Sequence, residues 1–112
     1  MIRIIENPNS LDISKLKDAI MIAFVEWSSY AISNYSNCIA LLKEQSYSGE
    51  ILQLNILNAS FEFQIKTFKR LCEGRGEIFV VKNGQIVESY FGKDCFTNFE
   101  LDIKNISDNW KG

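Results

Sequence analysis

The sequence predicts an α/β domain: a mixed sheet with helices on both faces, in the order β-α-β-α-β-α-β-β-α. Three observations carry this. The apolar periodicity switches several times between a two-residue and a helical repeat. The continuous apolar run Ala19-Ile20-Met21-Ile22-Ala23-Phe24-Val25 has the length of a strand covered on both faces. Asn83-Gly84 separates two strand-like runs, which is a strong hairpin signal. Strands joined through helices should run parallel with right-handed crossovers, and the hairpin must be antiparallel.

Ile2, Ile4 and Ile5 predict a short first strand, broken by Asn7-Pro8-Asn9-Ser10. Ser10 can cap a short helix with Leu11, Leu16 and Ala19 on one face. The run from Ala19 to Val25 is the next strand. Trp27-Ser28-Ser29 then offers a turn and a helix cap. From about Ser29 to Gln45 the pattern is helical, with Ile32, Tyr35, Ile39 and Leu42 on one face, and Ser48-Gly49 ends it. Ile51, Leu52, Leu54 and Ile56 predict a strand. Asn58 or Ser60 caps a helix carrying Phe61, Ile65, Phe68 and Cys72 as its apolar stripe, which leaves Phe63 off the stripe as an exposed contact residue. Glu73-Gly74-Arg75-Gly76 is a loop and not a phosphate-binding one, because no Gly-Lys-Ser/Thr follows. The hairpin runs from Ile78 through Asn83-Gly84 to Phe91, and Gly92 ends it. A last helix from about Asp94 places Phe96, Phe99, Ile103, Ile106 and Trp110 on one face.

Composition narrows the function classes. The 112 residues fit one domain, residues 1–112, and 46% hydrophobic content is enough for a real core. The net charge is −2, and no basic run exceeds Lys69-Arg70, which argues against nucleic-acid binding. There is no histidine, so His-based triads, bases and metal ligands are excluded. Cys38, Cys72 and Cys95 form no CxxC and no disulfide framework. They read as small hydrophobes in a reducing compartment. No Cys/Asp/Glu set has metal-ligand spacing. The N-terminal apolar run is too short for a signal peptide, and nothing approaches the ~18 apolar residues of a membrane span. Asn-x-Ser/Thr triplets at Asn34, Asn58 and Asn105 carry no meaning without secretion. These features predict a soluble cytoplasmic protein with no cofactor.

Two segments carry a family resemblance. An apolar strand ends in Glu26-Trp27-Ser28-Ser29-Tyr30-Ala31 and runs at once into a long helix. Further on, Gly76-Glu77-Ile78-Phe79-Val80-Val81-Lys82-Asn83-Gly84 leads through a second strand to Gly92. This resembles the thioredoxin family over roughly residues 10 to 108. In that family the strand ends in Trp-Cys-Gly-Pro-Cys, and the hairpin begins Pro-Thr. The departures remove the family's chemistry. Ser28 and Ala31 stand where the two cysteines would be, with Ser29 and Tyr30 between them. Gly76 stands at the family's cis-proline, and Ile22 at its buried acid.

Disulfide exchange needs a thiolate that attacks sulfur through a mixed disulfide, and a serine hydroxyl cannot replace it. The resemblance therefore implies a non-catalytic domain with a relic groove formed by Trp27, Ser28, Ser29, Tyr30, Arg75 and Gly76. Its partner would be a protein or peptide, with the chain acting as adaptor, assembly factor or toxin neutraliser. Arg75 would lie next to Trp27, and the backbone of Arg75 and Gly76 could pair with a peptide as an added strand. The alternative is a divergent thiol-disulfide or glutathione-linked redox protein. That reading would use Cys38, Cys72 or Cys95, with Cys72 as the reactive thiol near the groove, or the Ser28 and Tyr30 hydroxyls to hold a thiolate. The oligomeric state is left open.

Overall fold

The computed structural model describes residues 2–108. Five strands, β1 (Ile2–Ile5), β2 (Asp18–Phe24), β3 (Glu50–Asn55), β4 (Ile78–Lys82) and β5 (Gln85–Tyr90), form one sheet in the order β1-β3-β2-β4-β5. The first three run parallel, while β4 is antiparallel to both β2 and β5. The expected mixed sheet is present. Strand β2 lies at its centre and is buried from Ala19 to Ala23, as a strand covered on both faces must be.

Three α-helices cover the sheet: α1 (Ser29–Glu44), α2 (Phe61–Phe68) and α3 (Cys95–Asp108). Helices α1 and α3 share one face, where Cys38, Leu42, Cys95, Phe99 and Ile103 pack on Ile20, Ile22, Ile78 and Val80. Helix α2 covers the other face, with Phe63 and Phe68 against Met21, Leu52, Phe79 and Val81.

The helix expected after Asn7-Pro8-Asn9-Ser10 is not an α-helix. The segment forms two 3-10 turns, Pro8–Ser10 and Ile13–Lys15, capped by Asn7 and Asp12 and not by Ser10. The Asn7 and Asp12 side chains accept from the Asn9 and Ser14 N–H groups, 3.3 and 3.0 Å away. Such local bonds compete with a continuous helix. Leu11, Ile13 and Leu16 still pack on the core, while Ala19 belongs to β2.

Two helix faces are rotated from expectation. In α1 the buried stripe is Ala31, Cys38, Leu41 and Leu42, whereas Ile32 is exposed. The stripe lies one residue earlier than the larger side chains suggest, and small residues let the helix sit close to the sheet. In α2, Phe63 is buried, so it is not the exposed contact residue expected; Phe61 and Ile65 are exposed instead. Phe68 stacks on Phe79 at 4.2 Å and meets Phe63 edge-on. Lys69 adopts φ 68° and ends the helix, so Cys72 lies beyond it. The side chain of Ile106 and all of Trp110 lie outside the described residues. Asn83 and Gly84 have φ of 51° and 77°, as a two-residue hairpin turn of this kind requires.

Candidate functional site

Strand β2 delivers the chain to one end of the sheet, and β3 and β4 bring their own flanking loops to the same end. Three segments meet there: Val25 to Ala31, Ile56 to Phe61, and Cys72 to Glu77. At the centre Ser28 caps α1. Its Oγ accepts from the Ala31 N–H at 3.2 Å and donates to the Gly74 carbonyl at 2.8 Å. The hydroxyl proton is therefore committed to the neighbouring loop and not free for a bound thiolate. Both partners are backbone groups, and neither is a base that could make Ser28 a nucleophile.

Trp27 and Tyr30 project outward, 72% and 60% exposed. The Arg75 guanidinium lies 5.9 Å from the centre of the Tyr30 ring, close enough for a cation–π contact. The structure thus pairs Arg75 with Tyr30, where sequence reasoning paired it with Trp27. Ser29 is exposed at the first turn of α1. Gly76 is buried with φ 83°. A Cβ at that position would lie 2.9 Å from Asn34 Cβ and 3.3 Å from the Ala31 backbone. Only glycine allows the loop to approach the first turns of α1 this closely. No peptide bond among the described residues is cis.

The loop before β4 is held mainly by side chains from elsewhere. Asn34 donates from Nδ2 to the Arg75 carbonyl at 2.6 Å. The Cys95 thiol donates weakly to the Gly76 carbonyl at 3.5 Å. Glu77, which sequence reasoning passed over, is wholly buried. Its Oε2 accepts from the Glu73 N–H at 2.5 Å and its Oε1 from the Arg75 N–H at 3.2 Å. A carboxylate set directly against the apolar run Ile78-Phe79-Val80-Val81 is the only signal that could have found it. Ile22, which the sequence resemblance sets at a buried acid, is wholly buried and apolar.

A cleft of about 250 Å³ opens beside Trp27, lined by Val25, Ile56, Leu57, Phe61, Cys72 and Gly74. Leu57, not singled out from sequence, is 53% exposed, and Phe61, expected in the core stripe of its helix, is 74% exposed. A larger cleft of about 560 Å³ lies between the 3-10 turns and α2, lined by Asn9, Asp12, Glu62 and Lys66 among others, and shares no residue with the first.

All three cysteines are unpaired. Burial, and then the charge of Glu77, push the Cys72 thiol up, outweighing the opposing effect of Arg70. Burial and Glu77 push Cys95 up to about 11. Burial raises Cys38 as well. A thiol held protonated is a poor nucleophile. Among the described residues no group of His, Cys, Asp and Glu could hold a metal ion.

No protein-family model matches the sequence, and no curated protein does either. Solved structures do. Oxidised mitochondrial thioredoxin 3 from Saccharomyces cerevisiae superposes with a TM-score of 0.67 at 15% identity, covering 93% of this chain and 94% of that one. Plasmodium falciparum thioredoxin gives 0.65 at 16% identity over 91% and 97%. Chlamydomonas reinhardtii thioredoxin f2 gives 0.65 at 10% identity over 94% and 96%. This chain has the thioredoxin fold. In thioredoxin-fold terms, Ser28 and Ala31 sit at the helix N-terminus where the sequence resemblance places a dithiol. No cysteine replaces them there: Cys72 lines the cleft and Cys95 is buried beneath the loop. Among the described residues no helix is long and apolar enough to cross a membrane.

Proposed function

We propose that this thioredoxin-fold chain is a non-catalytic domain that binds a protein or peptide partner, as an adaptor, assembly factor or toxin neutraliser. The binding face is built by Trp27, Ser28, Ser29, Tyr30, Arg75 and Gly76 and extended by Leu57 and Phe61. One observation carries this reading. Trp27, Tyr30, Leu57 and Phe61 are each more than half exposed, and three of them surround one cleft. Large apolar side chains gathered at one place are the usual mark of an interaction surface, and Trp, Tyr and Arg dominate binding hot spots. The chemistry at the same place is muted. The Ser28 hydroxyl is occupied by Gly74, and the Cys72 thiol is held protonated. Three unpaired thiols suit the cytoplasm.

The test is capture of a partner from native cell extract, followed by calorimetry with the purified partner. A Trp27→Ala/Arg75→Glu double variant that is still folded should lose about 30-fold or more in affinity, the scale of a hot spot. Equal affinity for both proteins would move the interface elsewhere. Replacing all three cysteines should leave capture intact. Loss of capture in that variant, together with disulfide-reductase turnover by the wild type, would favour the redox alternative.

A further inference from the structure

A polypeptide can bind a thioredoxin-fold surface in two physically different ways. It can add a strand, exchanging backbone N–H and C=O groups with the receptor, or it can insert side chains into an apolar cleft. The loop before β4 decides between them, because it is the irregular backbone beside the proposed face.

Both backbone groups of Arg75 already have partners from within the chain. Its N–H donates to Glu77 Oε1 at 3.2 Å, and its carbonyl accepts from Asn34 Nδ2 at 2.6 Å. One acceptor and one donor are what an antiparallel strand residue would supply to Arg75. The neighbours are occupied too. The Glu73 N–H donates to Glu77 Oε2, and the Gly74 carbonyl accepts from Ser28 Oγ at 2.8 Å. Glu77 is wholly buried, so it reaches these amides from beneath the loop.

We infer that Glu77 and Asn34 act as a built-in occupant of this loop's backbone, closing it to strand addition, so that a partner is read by side chains alone. The partner is then a protein surface that presents an apolar side chain to Trp27, Leu57 and Phe61. Energetics favour this division. A peptide carbonyl that displaced Glu77 would exchange a charge-assisted hydrogen bond, roughly twice as strong as a neutral one, for a neutral one. It would also leave Oε1 of a buried carboxylate without its donor. The cleft of about 250 Å³ is smaller than the roughly 300–1,000 Å³ of small-molecule sites and suits one or two side chains. The expected pairing of a peptide with the backbone of Arg75 and Gly76 is replaced by this mode. The inference rests on the reading of this face as the partner face.

Two measurements on the full chain test it separately from that reading. The first is amide hydrogen exchange by NMR on the free protein. The Glu73 and Arg75 amides should be protected in the wild type. In Glu77→Gln at least one of them should exchange about tenfold faster or more, because the amide NH2 meets an N–H donor; the β4 amides should not change. Asn34→Ala should leave both amides protected. Free exchange of both amides in the wild type overturns the inference, whatever the variants do. The second measurement adds the purified partner. The Trp27 indole resonance should shift while the Arg75 amide keeps its position and protection. A large shift of the Arg75 amide, with the bond to Glu77 released, also overturns it. If no partner is captured, the proposed function falls, and the exchange data still decide whether the loop is closed.

Discussion

Strand β4 is entered through one loop and left through another, and the two are held in different ways. The exit, Asn83-Gly84, takes its turn type from its own two residues, with the Asn83 N–H also donating to the Lys17 carbonyl at 2.6 Å. Both residues take positive φ, and the turn type follows from two adjacent letters of sequence. The entry, Glu73 to Gly76, is held partly by Glu77 at its own end and partly by residues far away in the chain: Ser28 lies 46 positions from Gly74, and Asn34 lies 41 from Arg75. The contrast places conformational information. A loop that only has to reverse direction can be written in its own residues. A loop that builds a binding face is positioned by the helix and strand packed around it.

Breaking the exit should have the largest effect. Gly84 has φ 77°, and a Cβ there would lie 2.6 Å from the Ser14 carbonyl oxygen. Gly84→Ala should destabilise by about 3–4 kcal/mol, combining left-handed strain with a backbone collision. Urea denaturation reads this directly, and a cost under about 1 kcal/mol would show that the turn can shift away from the Ser14 segment.

Breaking the entry from beneath comes next. Glu77→Ala leaves the Glu73 and Arg75 amides without their acceptor and should cost about 2–3 kcal/mol. A cost near zero would mean that water satisfies both amides. Ser28→Ala removes a helix cap and the bond to Gly74, and should cost about 1–2 kcal/mol in the same assay. Ser28→Asp sharpens the test, because it keeps the cap but cannot donate to Gly74. If Asp restores full stability, the cap alone matters and the loop is held without Ser28.

At neutral pH the least visible effect is one that only alkaline pH brings out. The Cys95 thiol lies beneath the entry loop with its folded value raised from 9.0 to about 11 by burial and Glu77. Below pH 9 the thiol is neutral in both states, and its contribution to stability is fully present. As pH rises from 9 towards 11 the unfolded chain releases the proton first, so stability falls. Cys95→Ala should show a shallower decline over that window, whatever its own stability at pH 7. Parallel declines for the two proteins would mean that Cys95 titrates normally.

The hairpin, the buried central strand and the five-stranded mixed sheet were legible because each rests on a local pattern. Trp27, Ser28 and the α1 cap were legible for the same reason: a strand, a cap and a helix follow one another directly. The 3-10 turns were not, because Asn7 and Asp12 bond their own neighbours and give no periodic signal. The inward face of α2 was misread because an eight-residue helix carries aromatic residues on both sides, and only the position of Phe79 decides that Phe63 and Phe68 turn inward. Asn34 was illegible for the reason already drawn from the two loops: its role exists only once β4 and α1 are packed together. Glu77 bonds its own neighbours, like Asn7 and Asp12, and gives no periodic signal either.

The sheet's two outer edges also differ. β5 carries Glu88, and the β4–β5 ladder has a register shift at Val80/Val81, features that discourage further pairing. β1 presents Ile2 and Ile4, 43% and 56% exposed, beside its unpaired rim. Between them stands Arg3, paired with Glu50 of β3 at 3.5 Å. Arg3 lies on the opposite face of the strand from the two isoleucines, and it puts a charge on that rim, which opposes edge-to-edge pairing at high protein concentration.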